Sequence, residues 1–145
     1  WLKQYVFLQQ TKRKNSFVCH INVEPEIMGL SIHKLLLQPF IENAILHGFE
    51  GVDRTHKLQM DMGRDGDWIA IRIQDNGCGM PAEMVREMNE GIFQKTDNKN
   101  HIGMENAITR IRMYYGECAK VRIESQLGQG TQVQILIPAK EETDK

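Results

Sequence analysis

The stretch Leu35-Leu36-Leu37-Gln38-Pro39-Phe40-Ile41-Glu42-Asn43-Ala44-Ile45-Leu46-His47-Gly48 places polar side chains inside an otherwise apolar helical pattern. With residues 40 to 47 helical, Phe40, Asn43 and His47 fall at i, i+3 and i+7, so an amide and an imidazole share a face with an aromatic ring. That face is expected to line a site. A buried Asn left unpaired costs roughly 1–3 kcal/mol, so a ligand, a metal or a neighbouring backbone group has to satisfy it. The plainer reading is a helix capped by its neighbours. Pro39 removes one backbone bond at a cost of ~3 kcal/mol inside a helix, which predicts either a kink or a late start near Gln38.

Upstream, Trp1 to Lys14 carries Leu2, Tyr5, Val6 and Leu8 with a basic end, Lys12-Arg13-Lys14, and reads as a short helix that could continue upstream. Phe17 to Val23 is rich in strand formers and is stopped by Glu24-Pro25-Glu26. Downstream, Leu58, Met60 and Met62 alternate with polar residues, and Arg64-Asp65-Gly66-Asp67 turns into Ile69, Ile71 and Ile73. Asp75 continues the odd-numbered isoleucine series, so a carboxylate ends the strand while pointing to the core side. Asn76-Gly77-Cys78-Gly79-Met80-Pro81 follows at once. Its two glycines permit positive φ and close approach of backbone to a ligand, and Pro81 starts a helix over Ala82 to Asn89.

Residues 91 to 101, Gly91-Ile92-Phe93-Gln94-Lys95-Thr96-Asp97-Asn98-Lys99-Asn100-His101, are polar and aperiodic, as a lid or an ordinary surface loop would be. Met104, Ala107, Ile108, Ile111 and Tyr115 then recur at helical spacing, with Gly103 at the start and Gly116 beyond the end. A glycine-led helix start offers unpaired N–H groups to an anion such as phosphate. Two strands close the chain, Lys120 to Leu127 and Thr131 to Pro138, joined by Gly128-Gln129-Gly130. Thr131 shares the parity of Val133, Ile135 and Ile137. Asp75 therefore closes one core-facing series and Thr131 opens another, and antiparallel pairing brings both to one edge. A carboxylate beside a hydroxyl at the rim of an apolar sheet can accept from an exocyclic amine and complete the pairing of a ring nitrogen. That describes an adenine pocket, and guanine, with a carbonyl there, is disfavoured.

The chain has 145 residues, enough for one domain with a single core. Eighteen basic and nineteen acidic residues leave a net charge of −1. No global field recruits nucleic acid or anionic lipid, and any anionic ligand must be held locally. Cys19, Cys78 and Cys118 are odd in number, far apart and without a CxxC, which predicts reduced packing thiols in a cytoplasmic setting. No apolar run approaches the ~18–20 residues of a membrane span. The first residues lack a signal-peptide layout and an initiator Met, so the chain is expected to be an excised fragment.

With Glu42-Asn43-Ala44, Asp75-Asn76-Gly77-Cys78-Gly79, Ile102-Gly103-Met104-Glu105-Asn106 and Gly128-Gln129-Gly130-Thr131 in this order, the chain resembles the catalytic ATP-binding domain of sensor histidine kinases. Leu37 to Gly48 is similar to the Leu-Gln-Pro-x-x-Glu-Asn-Ala-x-x-His-Gly pattern of the LytS/YesM-type branch. The resemblance covers nearly the whole chain. It implies the GHKL (Bergerat) ATPase fold, an α/β two-layer sandwich with a mixed, largely antiparallel sheet and helices packed on one face. It also implies the cofactors ATP and Mg²⁺. Asn43 would be the Mg²⁺ ligand, with Glu42 beside it as a further magnesium or water contact, and His47 would sit near the phosphates, these three forming the catalytic set. Asp75 would take the adenine amine, Gly77 and Gly79 would shape the pocket, Met80 and Ile102 would line it, Gly103 and Met104 would set backbone amides at the phosphates, and Thr131 would reach adenine partly through water. Asn106 and Arg110 match the same pattern, although Arg110 equally suits a surface helix.

Three departures bear on mechanism. Leu46 stands where many relatives have Lys, and His101-Ile102-Gly103 replaces the usual Gly-x-Gly, both of which lower the expected phosphate affinity. ATPases of the superfamily place a water-activating Glu one helical turn before the Asn, where this chain has Pro39. Proline cannot act as a base, so phosphoryl transfer to a protein nucleophile fits better than hydrolysis. None of His20, His33, His47, His56 or His101 has the His-Phe-x-x-Asn setting of the branch's phosphoacceptor. The resemblance thus implies a catalytic module whose acceptor histidine lies on an upstream dimerisation domain. The parent would be a membrane-anchored homodimer with this domain in the cytoplasm, passing phosphate to a response regulator. The alternatives are a catalytically degenerate interaction module of the same fold and an ATP-hydrolysing clamp of the gyrase or chaperone type.

Overall fold

Alternation over two hairpins builds the centre of the sheet. The computed structural model describes Gln4, Phe7 and residues 17–25, 34–45, 55–91 and 102–139. In chain order its elements are β1 (Phe17–Val23), α1 (Lys34–Asn43), β2 (His56–Asp65), β3 (Trp68–Asp75), α2 (Ala82–Glu90), α3 (Ile102–Tyr115), β4 (Lys120–Gln126) and β5 (Gly130–Pro138). Of the helix expected over residues 1 to 14, Gln4 and Phe7 are helical and exposed. The rest of that segment, Leu46, His47 and residues 92 to 101 lie outside the described residues. Gly91, expected to begin the lid, is instead the C-cap of α2, its N–H donating to the Glu87 and Met88 carbonyls.

The strands form one five-stranded sheet in the order β1-β2-β3-β5-β4. β1 runs parallel to β2, while β2, β3, β5 and β4 are successively antiparallel. The sheet is mixed and largely antiparallel because two tight hairpins make antiparallel pairs, whereas the β1 to β2 connection contains α1, the kind of crossover a parallel pair needs. Period-2 side-chain geometry then puts Leu58, Met60, Ile69, Ile71, Ile73, Ile123, Val133, Ile135 and Ile137 on one face, all buried. The helices cover that face, and α1 packs against α3.

Pro39 does not delay α1, which already runs from Lys34 and continues past it to Asn43. The physical reason is the buried stripe. Leu37, Phe40, Ile41, Ala44 and Ile45 fall at i, i+3, i+4, i+7 and i+8 and are each at most 2% exposed. Burying the four large ones contributes roughly 6–12 kcal/mol, which outweighs the ~3 kcal/mol of an interior proline. Beyond Asn43 the winding widens into a π turn at Ala44 and Ile45, a local form that often marks functional positions. The far edge is closed by a side chain. The Asn89 amide donates to the Ile123 carbonyl (2.8 Å) and accepts from the Ile123 N–H (2.7 Å), so α2 pairs the outer side of β4 as a strand would.

Candidate functional site

The polar or charged residues buried as a whole among the described residues are Asp75 and Thr131, each 7% exposed. They are register partners across β3 and β5, as the parity of the two strands predicts. The Asp75 carboxylate accepts the Gly77 N–H at 2.8 Å and the Thr131 backbone N–H. These bonds orient it, but desolvation dominates and pushes its pKa up to about 6, with the two N–H donors opposing the rise. A carboxylate kept dry and held at the end of a strand is placed to accept from a ligand amine.

The loop after Asp75 is tied down on both sides. Asn76 extends the β2–β3 ladder, its side chain accepting from the Lys57 N–H and donating to the Thr55 carbonyl, both at 2.7 Å. The Cys78 carbonyl accepts from Gly128 N–H at 2.7 Å, and the Met80 N–H donates to Ser125 Oγ at 2.8 Å. Gly79, with φ of 73°, lies so close to the β4–β5 hairpin that a Cβ would collide with the Gln126 carbonyl. A Cβ on Gly130, φ 117°, would meet the Asp75 carbonyl. The two glycine clusters thus pack backbone to backbone. Of the two loop glycines, Gly79 takes the positive φ that both permit.

A cavity of about 380 Å³ opens at this rim, with Asp75, Ser125, Gly130 and Thr131 in its lining. Asn43 is on a separate element, at the end of α1, and does not line that cavity. Its Oδ1 is shielded from solvent and has no hydrogen-bond partner among the described residues. An orphaned, hard carbonyl oxygen of this kind suits a Mg²⁺ ion or one of its waters. Glu42, half-buried, accepts from Gln38 Nε2 at 3.3 Å. Ile102 and Gly103 form the first turn of α3, where backbone N–H groups lack intrahelical partners. The Met80 and Met104 side chains lie in the core, 3% and 1% exposed. Asn106 and Arg110 are on the exposed side of α3. His47 lies outside the described residues.

A larger concavity, about 620 Å³, lies on the opposite face of the sheet. Its lining includes the cross-strand pair Gly63 and Ala70, the Arg72–Asp61 ion pair and Leu136. No residue expected at the site from the sequence lines it. Ser125, by contrast, belongs to the rim although no motif in the sequence marks it. The signal was available: on β4, Val121, Ile123 and Ser125 share parity, so this hydroxyl ends a core-facing series as Asp75 does.

A buried acid and hydroxyl at the end of a mixed sheet, between two glycine turns, fit the class of α/β nucleotide-binding ATPase-type domains. The chain belongs to the histidine kinase-, DNA gyrase B- and HSP90-like ATPase family, which it matches over residues 31–141. Among curated proteins it is 27% identical, over 138 residues, to the sensor protein kinase HptS of Staphylococcus aureus strain USA300. The match covers 95% of this chain but 26% of that protein, so the chain spans about a quarter of the relative's length. Among solved structures, the histidine kinase domain of the Erythrobacter litoralis EL346 blue-light activated histidine kinase aligns with a TM-score of 0.65 at 16% identity, covering 94% of this chain and 58% of that one. The catalytic domain of histidine kinase ThkA in a nucleotide-free form aligns at 0.66 and 17% identity, covering 95% and 90%. The two-layer fold with helices on one face is common to them.

Proposed function

We propose that the chain is the ATP-binding catalytic domain of a two-component sensor histidine kinase, a single domain of the LytS/YesM-type branch. The observation that carries this reading is the Asp75–Thr131 pair, a dry carboxylate and hydroxyl matched in register beside the Gly79 turn. Asp75 accepts from the adenine amine, Thr131 completes the ring-edge contact partly through water, and the first turn of α3 offers its N–H groups to the phosphates. Asn43 and Glu42 hold Mg²⁺, and His47 is assigned to the phosphate side. When bound, the metal neutralises charge on the phosphate oxygens.

The reaction is transfer of the γ-phosphoryl group to a histidine ring nitrogen on an upstream dimerisation domain. The N–P bond forms, the bond from the γ-phosphorus to the bridging oxygen breaks, ADP leaves, and the imidazole proton passes to solvent. Pro39 sits one turn before Asn43, half-buried and without any proton-accepting group, which supports transfer over hydrolysis. The parent is read as a homodimer anchored in the cell membrane, with this domain cytoplasmic and a response regulator as the next acceptor. No described helix is long and apolar enough to cross a membrane.

Calorimetric titration with a non-hydrolysable ATP analogue, with and without Mg²⁺, alongside the GTP analogue and Asp75→Asn, tests the site. Adenine-selective, magnesium-assisted binding lost in the variant is expected. A folded chain that binds no nucleotide at millimolar concentration overturns the active-kinase reading in favour of an interaction module.

A further inference from the structure

Three adjacent strands carry one polar row at the rim. Asp75 on β3 is paired in register with Thr131 on β5, and Thr131 is paired in register with Ser125 on β4. Ser125 Oγ lies 2.8 Å from the Met80 nitrogen, 2.8 Å from the Gly130 carbonyl oxygen and 2.9 Å from Thr131 Oγ1.

A hydroxyl has one proton and two lone pairs, and here all three are committed. The Met80 N–H can only donate, so it occupies one lone pair. The Gly130 carbonyl can only accept, so it takes the single Ser125 proton. The contact between the two hydroxyls is then a hydrogen bond only when Thr131 donates. With its proton turned to Ser125, Thr131 Oγ1 offers the cavity lone pairs alone. Its other neighbour, the ionised Asp75 carboxylate, is also an acceptor only.

We propose that Ser125, by fixing the direction of the Thr131 hydroxyl, is a positioning residue that makes this pocket select 6-amino over 6-oxo purines; the inference rests on the adenine reading above. The Asp75 carboxylate and the Thr131 hydroxyl then both present acceptors to the base edge, which welcomes an exocyclic amine. It serves a bare ring nitrogen only through a water that donates to both sides. A 6-oxo group placed against this pair finds no donor from either side chain. Replacing Ser125 by Ala frees the Thr131 proton to turn towards the base, so a 6-oxo group gains a donor. The same replacement leaves the Met80 N–H without its acceptor, which loosens the loop and weakens both kinds of purine alike. The ratio of affinities, not either affinity alone, separates polarity from scaffold.

The test is titration of the chain with the non-hydrolysable ATP analogue and its inosine counterpart, each with Mg²⁺, for the native sequence, Ser125→Ala, Ser125→Cys, Thr131→Val and the Ser125→Ala/Thr131→Val pair. The native chain is expected to prefer the adenine analogue, and Ser125→Ala to narrow that preference about fivefold or more, the scale of one hydrogen bond. Ser125→Cys, which keeps the shape with a weaker donor and acceptor, narrows it in the same direction and serves if the alanine variant does not fold. In the Thr131→Val background, where no hydroxyl is left to orient, Ser125→Ala changes the ratio no further. Equal weakening of both analogues with the ratio unchanged, or no change at all, overturns the role of Ser125 while leaving the adenine site standing. A native chain without adenine preference overturns both.

Discussion

Asp75 and Thr131 face each other directly across β3 and β5, and the Thr131 backbone N–H donates to the carboxylate it faces. The pairing keeps a titratable group buried at the end of a hydrophobic sheet with too few donors to offset its desolvation. Its proton affinity is therefore coupled to whatever fills the cavity.

Burial raises the Asp75 pKa to about 6 in the nucleotide-free chain, and an amine donor favours the ionised form. ATP binding is thus expected to release a proton near pH 6, and affinity to fall as pH drops below 6, by up to about tenfold per unit. Calorimetry in buffers of different ionisation enthalpy reads the released proton directly. Uptake of a proton, or affinity flat from pH 5 to 7, contradicts the assignment.

The same group makes the unliganded fold pH-sensitive with the opposite sense. The unfolded chain releases this proton near 3.8, the folded chain near 6. Between these limits the native state holds the extra proton, so the contribution is full below 3.8 and is lost as pH rises through 6. The difference between the two values corresponds to ~3 kcal/mol. The unfolding free energy of Asp75→Asn minus that of the native chain is expected to grow over this window in denaturant titrations.

Asn43→Ala should separate binding from stability. The Asn43 Oδ1 is buried without a partner among the described residues, so removing it relieves a penalty of roughly 1–3 kcal/mol. Unfolding free energy is expected to stay within ~1 kcal/mol of the native value while magnesium-dependent ATP binding disappears. Ile41→Ala on the neighbouring buried position should cost ~2–5 kcal/mol instead. A large stability loss in Asn43→Ala would assign the amide to the scaffold.

Gly79→Ala combines a positive φ with a collision against the Gln126 carbonyl. Destabilisation well above ~1 kcal/mol is expected, because the native backbone is incompatible with a Cβ. Nucleotide binding should fall with it, and chemical-shift changes should spread from the loop into the Gln126–Gly130 turn. Shifts confined to the loop would show that the two segments are not coupled.

Asn89→Ala removes two hydrogen bonds to the Ile123 backbone. A loss of ~1–3 kcal/mol is expected, with faster amide exchange at Ile123 and little change in ATP affinity. Unchanged exchange at Ile123 would mean that water replaces the side chain without cost.

The sequence by itself determined the elements and the parity of the side chains on them. Alternation in β3 and β5 already assigns Asp75 and Thr131 to the core face, because the period of an extended backbone is two wherever the strand is placed. The same reasoning reaches Ser125 on β4, although an isolated hydroxyl carries no signal until its neighbours are known. The tertiary structure alone decided which strands are neighbours. Inserting β5 between β3 and β4, rather than following chain order, sets Thr131 between Asp75 and Ser125 and presses the Gly79 turn against Gly130. It also decided that α1 runs through Pro39, since a local penalty of ~3 kcal/mol is settled by burial against a distant helix and sheet. Periodicity is a property of the local chain; pairing, solvent exclusion and the orphaned oxygen of Asn43 depend on contacts between residues far apart in sequence.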